Sequence, residues 1–448
     1  MRFQPYGATC AQRALVAVLG LGTLLLIGAP AWAQSQSGLL HFDIVGPGSK
    51  LAPIAISQLK NLGGDDEGEV SAHFVNVLSR DLELSGYFRL IKPEAYIENP
   101  QQSGYQLGQF NFTDWSSINA EFLVKGAVTA SDAVVTIDAF LYDVAAQKQL
   151  VGKRFSGAPQ DVNRMARRFA DAILAGITGQ RGPFDSKIAL VSTRGGRFKE
   201  IYITSLDGED LYRVTNNPTI NLSPSFDRGV GHLLYTSFKS GSPDLYLFNL
   251  ATKREIRIST DRGLLLGGAV SPGGNSVVAA VERGGATNLF MLDLQGNVIR
   301  QLTRGGSINV NPSFNADGSL MAFTSDRGGT PQIYVMNPQG GEARRVTYSG
   351  SYNTDPAISP KGDRIAYQTR NGGFHIAIIG IDGGQPTVLA AGQHPSWSPD
   401  GRYLIFSADR SGTSRLYLMQ VDSGKIIAPI TKEDGDATDP AWSWWLGE

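Results

Sequence analysis

The most restrictive feature of this 448-residue chain is a short motif that recurs six times in its last three-fifths. The motif reads Pro, a small residue and then an aromatic or aliphatic residue, and in several copies it continues as Ser-Pro or Ala-Asp followed by a Gly turn. The copies begin at Pro224, Gly268, Pro312, Pro356, Pro395 and Pro440, in steps of 44, 44, 44, 39 and 45 residues. A period of about 40–45 residues, with several short strands in each unit, predicts a β-propeller.

Each repeat unit contains the signals of four short strands. A Gly-rich turn precedes an apolar pair such as Ile333 and Tyr334 or Leu416 and Tyr417, and the unit ends in an alternating strand and a Thr. Turns rich in Gly, Asn, Asp and Pro separate these segments. One such unit buries its apolar face only against its neighbours, so the units must stack into a ring.

The two ends of the repeat region indicate how the ring closes. The first unit begins at residues 187–191 with the second strand of a blade, and no Pro motif precedes it. The last motif, from Asp439 to Trp442, has no blade after it. We therefore expect this orphan strand to become the first strand of blade one, which removes two exposed sheet edges and makes six blades.

The N-terminus has the pattern of a secretory signal. Arg2 and Arg13 precede an apolar run from Leu15 to Ile27, and a small-x-small sequence ends at Ala33. This pattern predicts a signal peptide over residues 1–33, with cleavage between Ala33 and Gln34. A signal-anchor helix is the alternative, but the apolar run is short for a membrane span.

Composition narrows the classes of function. Cys10 is the single cysteine and lies in the predicted signal, so the mature chain would have no disulfide, thiol nucleophile or cysteine metal site. The mature chain would carry 38 basic and 41 acidic residues without a basic tract. Nucleic-acid binding is therefore disfavoured, and the absence of another long apolar run predicts a soluble mature protein without a membrane span.

The segment before the repeats predicts a smaller α/β domain over residues 46–182. Apolar residues at helical spacing indicate helices over 66–85 and 161–178, with Asp161 as the N-cap of the second. Strands are expected at 51–56, 88–91, 122–129, 134–142 and 149–155. The chain break at Gly182 and Pro183 places the propeller at 183–448. The predicted fold is therefore a mixed one: an α/β (α+β) domain followed by an all-β six-bladed propeller closed by a C-terminal strand.

Residues 34–45 form a separate segment. A polar start is followed by Leu40, Phe42 and Ile44, which alternate with His41 and Asp43 and give a strand with one apolar face. Such a strand either packs against its own domain as an ordinary edge strand or pairs with the sheet edge of a partner.

Motifs for catalysis are missing from the sequence. There is no Gly-x-Ser-x-Gly elbow, no His-Glu-x-x-His and no phosphate loop, and the five histidines are scattered. The acidic cluster from Glu433 to Asp439 contains oxygen ligands of the type that Ca²⁺ takes, but its spacing does not fit an EF-hand and a solvated turn is the better interpretation. We expect no enzymatic activity, cofactor or metal.

The junction between the two predicted domains carries a family resemblance. Residues 169–173 and 178–189, the latter reading Thr-Gly-Gln-Arg-Gly-Pro-Phe-Asp-Ser-Lys-Ile-Ala, resemble the corresponding helix, linker and first strand of the TolB family, the periplasmic component of the Tol–Pal system. The resemblance covers the mature chain. It implies a non-enzymatic, monomeric adaptor that binds the lipoprotein Pal and the protein TolA, with other outer-membrane proteins as further partners. Such an adaptor supports outer-membrane integrity and constriction at cell division.

Candidate binding residues follow from aligning the repeats. Loops that enter the inner strands surround one mouth of the channel, and we expect Pal to bind there. The candidates are Asn221, Leu265, Asn309 and Asn353 at equivalent positions, with Leu266, Asn311, Tyr352 and His394 beside them. Exposed Leu and Tyr among amides are typical of a protein-binding surface. The candidates for TolA binding are Leu39, Leu40, Phe42 and Ile44. The alternative function is a periplasmic propeller that binds a small ligand or sugar, or an enzyme with its site in the channel.

Overall fold

The structure is a computed structural model that describes residues 50–410, 412–431 and 435–447. The predicted signal peptide with its cleavage site at Ala33 and Gln34 lies outside the described residues. So does the N-terminal segment 34–45, with Leu39, Leu40, Phe42 and Ile44.

The first domain is a twisted sheet covered by helices. Its strands are β1 (Ala52–Ile56), β2 (Lys60–Asn61), β3 (Phe88–Leu90), β4 (Phe122–Ala130), β5 (Val135–Asp143) and β6 (Lys148–Gly157), and its helices are α1 (Glu69–Leu84), α2 (Phe112–Ser116) and α3 (Val162–Thr178). The strand order is β3-β1-β4-β5-β6, and β2 also pairs with β4. β1 runs parallel to β3 and β4, whereas β4, β5 and β6 are antiparallel. This is the expected α+β arrangement.

Helices α1 and α3 pack together on one face of this sheet. Apolar side chains recur along α3 at helical spacing, and Phe169 is fully buried between Phe74 of α1 and Phe155 of β6. The helix ends where Gly179 adopts φ 75°, the left-handed conformation typical of a glycine after a helix. Asp161 occupies the N-cap position of α3, as predicted, but its side chain makes no cap hydrogen bond to the helix and instead accepts from the N–H of Ala158 at 3.0 Å.

The long connection from β3 to β4 is held by a buried ion pair. Lys125 of β4 is 2% exposed and pairs with Glu98. The rings of Phe110 and Trp115 lie 4.8 Å and 5.6 Å from its ammonium, and Trp115 donates its indole N–H to Glu98 at 3.1 Å. Burial lowers the pKa of Lys125. Since the two charges neutralise each other, the connection can cover the sheet without leaving an isolated buried charge.

The second domain contains the repeats. Its strands, in chain order, are β7 (Ile188–Ser192), β8 (Glu200–Thr204), β9 (Tyr212–Arg213), β10 (Asn221–Phe226), β11 (His232–Ser237), β12 (Asp244–Asn249), β13 (Glu255–Ile258), β14 (Leu264–Val270), β15 (Ser276–Arg283), β16 (Ala286–Asp293), β17 (Val298–Gln301), β18 (Asn309–Phe314), β19 (Met321–Ser325), β20 (Gln332–Met336), β21 (Arg344–Arg345), β22 (Asn353–Ile358), β23 (Arg364–Arg370), β24 (Phe374–Gly380), β25 (Gly383–Ala391), β26 (Gln393–Trp397), β27 (Tyr403–Asp409), β28 (Ser414–Gln420), β29 (Lys425–Pro429) and β30 (Ala437–Trp442). They form six four-stranded sheets. Blade 1 is β30-β7-β8-β9, and blades 2 to 6 are the consecutive sets β10–β13, β14–β17, β18–β21, β22–β25 and β26–β29.

The predicted closure of the ring is confirmed. The last strand, β30, pairs antiparallel with β7, so that Trp442 lies opposite Ile188 and Thr438 opposite Val191. Trp442 is buried and donates its indole N–H to the hydroxyl of Ser186 at 2.8 Å. Blade 1 is thus built from both ends of the repeat region, which leaves no inner strand without a partner.

The junction between the domains is polar and tightly packed. Asp171 of α3 accepts the backbone N–H of Phe184 at 2.8 Å, and a side chain at Gly182 would lie 2.9 Å from the same carboxylate oxygen. Arg167 of α3 reaches across to two carboxylates of the β8–β9 loop, Asp207 at 3.2 Å and Asp210 at 2.5 Å. These contacts fix α3 against blade 1.

One carboxylate of this junction has no hydrogen-bond partner within the described part of the chain. Asp81 of α1 is fully buried, and neither of its oxygens accepts a hydrogen bond. Burial raises its pKa well above the usual value, and the nearby carboxylates Asp207, Asp171 and Asp210 act in the same direction, against the lowering effect of Arg167. A protonated Asp81 is therefore the form that suits the folded junction.

The α/β domain lies at the end of the propeller opposite to the candidate mouth. Tyr403 at the start of β27 donates its hydroxyl to the backbone oxygen of Ser85 at 2.7 Å, and Arg402 donates to the hydroxyl of Thr178 at 3.1 Å. Both propeller residues follow the turn that leaves an inner strand, whereas the loops that enter the inner strands lie at the other end. Within the described ranges, the helices are too short or too polar to cross a bilayer.

Candidate protein-binding site at the channel mouth

The inner strands of the blades line a central cavity of about 720 Å³. In five of the six inner strands the residue before the motif proline has a positive φ, between 48° and 57°. These residues are Ser223, Asn311, Asp355, His394 and Asp439. The strand pairing shifts register at the same point in every blade, which is the signature of a bulge. Since a bulge re-aims the local side chain, the motif proline and its left-handed neighbour direct one residue per blade into the channel.

We call these five residues the bulge ring. Their side chains are polar, and two of them, Asp355 and Asp439, are carboxylates. Asn311 donates to Asp355 at 3.3 Å, and the Nε2 of His394 lies 3.5 Å from a carboxylate oxygen of Asp439. Burial raises the pKa of Asp355, which the neighbouring Asp439 reinforces and His394 opposes. Two carboxylates therefore share the mouth at blades 5 and 1, with one histidine between them.

The three predicted asparagines Asn221, Asn309 and Asn353 do not face a partner. All three are fully buried. Each donates its amide back to the preceding blade: Asn221 to the oxygen of Lys199 at 2.9 Å, Asn309 to the oxygen of Thr287 at 2.9 Å, and Asn353 to Gln332 at 2.8 Å. Their side chains hold neighbouring blades together, so the repeat position that suggested binding serves the architecture.

The expectation that Leu265 is exposed is also wrong. Its side chain is fully buried and packs with Leu245 and Leu234 of blade 2 and with its own blade. Leu265 is the equivalent in blade 3 of the three buried asparagines. At this position an apolar contact replaces the hydrogen bond that the asparagine side chain makes in the other blades. The other predicted residues, Leu266, Asn311, Tyr352 and His394, line the channel mouth. The candidates that line the mouth thus stand one or two residues along the chain from the positions of the buried candidates.

A band of apolar residues surrounds this mouth, and of its members the sequence reasoning found only Leu266 and Tyr352. Five large apolar side chains are between 41% and 73% exposed, and half-buried Tyr352 joins them. We name the set the apolar crescent; it consists of Ile220, Leu264, Leu266, Ile308, Tyr348 and Tyr352. Its members come from the inner strands of blades 2 to 5 and from the loops that enter them.

The signal for the crescent was present in the sequence. Ile220, Leu264, Ile308 and Tyr352 stand 44 residues apart, each directly before the buried position of its inner strand. Adjacent residues of a strand point to opposite sides, so a buried residue in the repeat implies an outward neighbour. This apolar position recurs in four consecutive blades and is exposed in three of them and half-buried in the fourth. Exposed apolar patches mark interaction sites.

At the far end of the channel a cation packs on an aromatic ring. The guanidinium of Arg228 lies 4.2 Å from the ring centroid of Trp444 and donates to the backbone oxygen of Ala316 at 2.8 Å. Ala316 belongs to blade 4 and Arg228 to blade 2, so this side chain links two blades at this end of the channel.

The described residues contain no group of three or more His, Cys, Asp or Glu side chains placed to hold a metal ion. Of the acidic cluster at 433–439, Glu433 and Asp434 lie outside the described residues.

The fold and this mouth define a two-domain protein, a six-bladed β-propeller carried on an α/β domain. A family model described as the TolB β-propeller domain matches residues 175–446, and one described as the TolB amino-terminal domain matches residues 40–150. The chain belongs to the TolB family.

Individual relatives agree with this assignment. A Tol-Pal system protein TolB of Desulfosudis oleivorans is 35% identical over 64% of this chain and 64% of its own length, and one of Geobacter metallireducens is 36% identical over 46% of each. The matched region thus spans less than two thirds of these relatives. The crystal structure of TolB from Acinetobacter baumannii superposes with a TM-score of 0.75 at 25% identity, over 88% of this chain and 97% of that one.

Proposed function

We propose that this chain is a periplasmic, non-enzymatic component of the Tol–Pal system that binds Pal through the propeller mouth and TolA through its N-terminal segment. In this role it would support outer-membrane integrity and constriction during division. The names of its relatives support membership of the system. The signal-like start of the chain supports export.

The apolar crescent is the observation that favours Pal binding at the mouth. It lies on the end of the propeller away from the α/β domain, where a partner can approach without displacing the first domain. Aromatic and aliphatic anchors beside polar groups are what a protein-binding centre requires. The polar bulge ring, with Asn311, Asp355, His394 and Asp439, would supply the hydrogen bonds at its centre.

Calorimetry with purified Pal tests this assignment. Because Leu265 is buried, exposed residues of the crescent are the better ones to mutate, and we choose the double variant Leu266→Ser and Tyr348→Ser. We expect its affinity for Pal to fall at least tenfold with an unchanged melting temperature, because both side chains are exposed in the free protein. The matched control is Ile299→Ser with Val388→Ser, which removes two equally exposed apolar residues from the outer strands β17 and β25. Equal affinity in the crescent variant and the control would refute the site.

TolA binding is assigned to residues 39–45. The alternation of Leu40, Phe42 and Ile44 would let this segment join a sheet edge of TolA by backbone pairing, with Leu39 at its start. Phe42→Ser with Ile44→Ser should abolish TolA binding and leave Pal binding at least as strong. The control variant His41→Ser with Asp43→Ser changes the other face of the same strand. Full TolA affinity in the Phe42/Ile44 variant would remove the segment from the proposal.

The channel itself favours a second candidate, a small polar ligand bound in the cavity of about 720 Å³. The two candidates differ in what they need. An adaptor recovers a lipoprotein from envelope extract, and the crescent variant loses it, whereas a propeller that binds a small ligand recovers none.

A further inference from the structure

The sheet of the α/β domain has one long edge without a partner. Strand β6 pairs with β5 over Lys148 to Gly157, and among the described residues no strand lies on its other side. Along these ten residues, alternate backbone N–H and C=O groups therefore point away from β5. Such an edge is a template for an added strand unless the protein covers it.

A groove lies beside this edge and under helix α3. Its volume is about 940 Å³. Four consecutive residues, Leu150 to Lys153, line it. Because successive side chains of a strand point to opposite faces of the sheet, a groove on one face would touch only every second residue. The groove therefore includes the edge of the strand. The wall on the helix side is made of small residues, Ala172, Ala175 and Gly176. An added strand would find space there for its inward side chains.

The close approach of α3 to β6 gives this groove its shape. A Cβ at Gly176 would lie 2.5 Å from a methyl carbon of Val151, so the helix can rest on the strand only with glycine at that position. Phe155 of β6 is buried against Phe169 of α3 and supplies the apolar floor. The walls are therefore held by the domain core and exist before any ligand binds.

The rim of the groove is basic. Four cations line it, Lys153, Arg164, Arg168 and Arg181, against the two carboxylates Asp171 and Asp185. Both carboxylates are buried and already paired with arginines. Lys153 and Arg168 are exposed, and in the described part of the chain neither forms an ion pair; Arg168 instead lies over the ring of Phe155 at 5.7 Å. The free charge at the rim is positive.

We propose that the groove between β6 and α3 binds an extended acidic peptide segment of a partner protein as a seventh strand of the sheet. The backbone of the peptide pairs with the free edge of β6. The side chains of the peptide on the face toward α3 are by turns apolar and acidic. The apolar ones rest against Ala172, Ala175 and Phe155, and the carboxylates meet Lys153 and Arg168, which lie on the same face of the sheet. This surface is separate from the channel mouth and from the N-terminal segment, so it does not depend on the function proposed above.

The probe for this site is a labelled eight-residue peptide, Val-Thr-Glu-Thr-Val-Thr-Glu-Thr, whose valines and glutamates share one face of an extended strand. It is titrated against the full chain by fluorescence anisotropy. We expect saturable binding that weakens as salt is raised, and no binding of the matched valine–lysine peptide. Hydrogen exchange of residues 148–157 should slow when the glutamate peptide is bound. Binding without this protection, or equal binding of the two peptides, would overturn the proposal.

Two variants localise the binding. Lys153→Glu with Arg168→Glu should weaken binding of the glutamate peptide at least tenfold, whereas Lys92→Glu with Lys361→Glu, the same change in net charge at exposed lysines elsewhere, should not. Ala172→Trp should block the groove without altering charge. An equal loss of affinity for the glutamate peptide in both charge variants would mean that only the net charge of the protein matters, and would refute the site. Tenfold tighter binding after deletion of residues 34–45 would show that the chain's own N-terminal segment occupies the groove, and this also overturns the assignment to a partner.

Discussion

The closing strand of the propeller offers the sharpest test of the fold. Trp442 is buried at the seam between the first and last parts of the ring, and its indole N–H donates to Ser186 at 2.8 Å. Replacing a buried tryptophan by alanine costs about 3–5 kcal/mol through lost burial and an unfilled cavity. The whole unfolding free energy of a domain is about 5–15 kcal/mol. Trp442→Ala should therefore remove a large part of the stability of the propeller.

The expected shift in melting temperature follows from the size of the domain. For domains of about 150–250 residues, each kcal/mol lowers the melting temperature by about 2–4 °C, so Trp442→Ala should lower that of the propeller by roughly 6–20 °C. Differential scanning calorimetry measures this shift. Ending the chain before Ala437 removes β30 entirely, exposes the edge of β7 and should give insoluble or protease-sensitive protein.

Two control variants separate the seam from the general loss of an aromatic side chain. Trp442→Phe keeps most of the ring and loses the hydrogen bond, which is worth about 1 kcal/mol. Trp444→Ala removes a half-buried ring just beyond β30 and should cost less than half as much as Trp442→Ala. A Trp442→Ala protein that melts within 2 °C or so of the parent, or a truncated chain that melts like it, would refute the closure as a source of stability.

Three further predictions concern the junctions within the molecule. The pKa of Asp81 is raised in the folded state, so its contribution to stability is present below the unfolded pKa of about 3.9 and is lost as the pH rises through the folded value. Asp81→Asn should therefore be more stable than the parent at neutral pH in urea titrations. A difference in unfolding free energy between variant and parent that is the same at pH 5 and pH 8 would contradict this. Burial raises the pKa of Asp171 to about 7, so carboxyl NMR should show it titrating near neutrality, whereas a value near 4 would mean that its contacts with Arg181 and the backbone outweigh burial. Asn309→Ala removes the side-chain amide that donates to the oxygen of Thr287 and accepts from the guanidinium of Arg327, and should cost about 1–3 kcal/mol, measured by calorimetry against the variant Asn216→Ala at an exposed site.

The architecture was readable from the sequence because it repeats. Apolar and turn residues recur at a fixed period, and a unit that cannot bury its own apolar face requires neighbours. The orphan motif at Asp439 predicted ring closure by the same logic. The two long helices were also predicted, since their apolar residues follow one face over four or more turns. The segment from 92 to 121 lacked such a period, and its short helix α2 and the buried pair of Lys125 with Glu98 were not foreseen.

Of the residues predicted for the candidate site, some line the channel mouth and others are buried between blades. Alignment of the repeats placed Asn221, Asn309 and Asn353 at equivalent positions, and recurrence alone does not say whether such a position faces a partner or a neighbouring blade. In the structure the amides bond to the preceding blade, and Leu265 replaces them with an apolar contact. The exposed residues stand directly before or after these positions.

The sequence by itself determined the number of blades, the closure by the last strand and the order of the two domains, because each depends on local periodicity and on the need to bury apolar faces. Tertiary structure decided which side of each inner strand faces the channel. That choice depends on the bulge before each motif proline, whose left-handed residue re-aims the chain, and on the neighbouring blade that supplies acceptors for a buried amide. The groove between β6 and α3 was likewise decided only in three dimensions, since it requires Gly176 to meet Val151 from a distant part of the chain. Contacts of this kind carry no periodic signal, so only the packed structure reveals the surfaces they create.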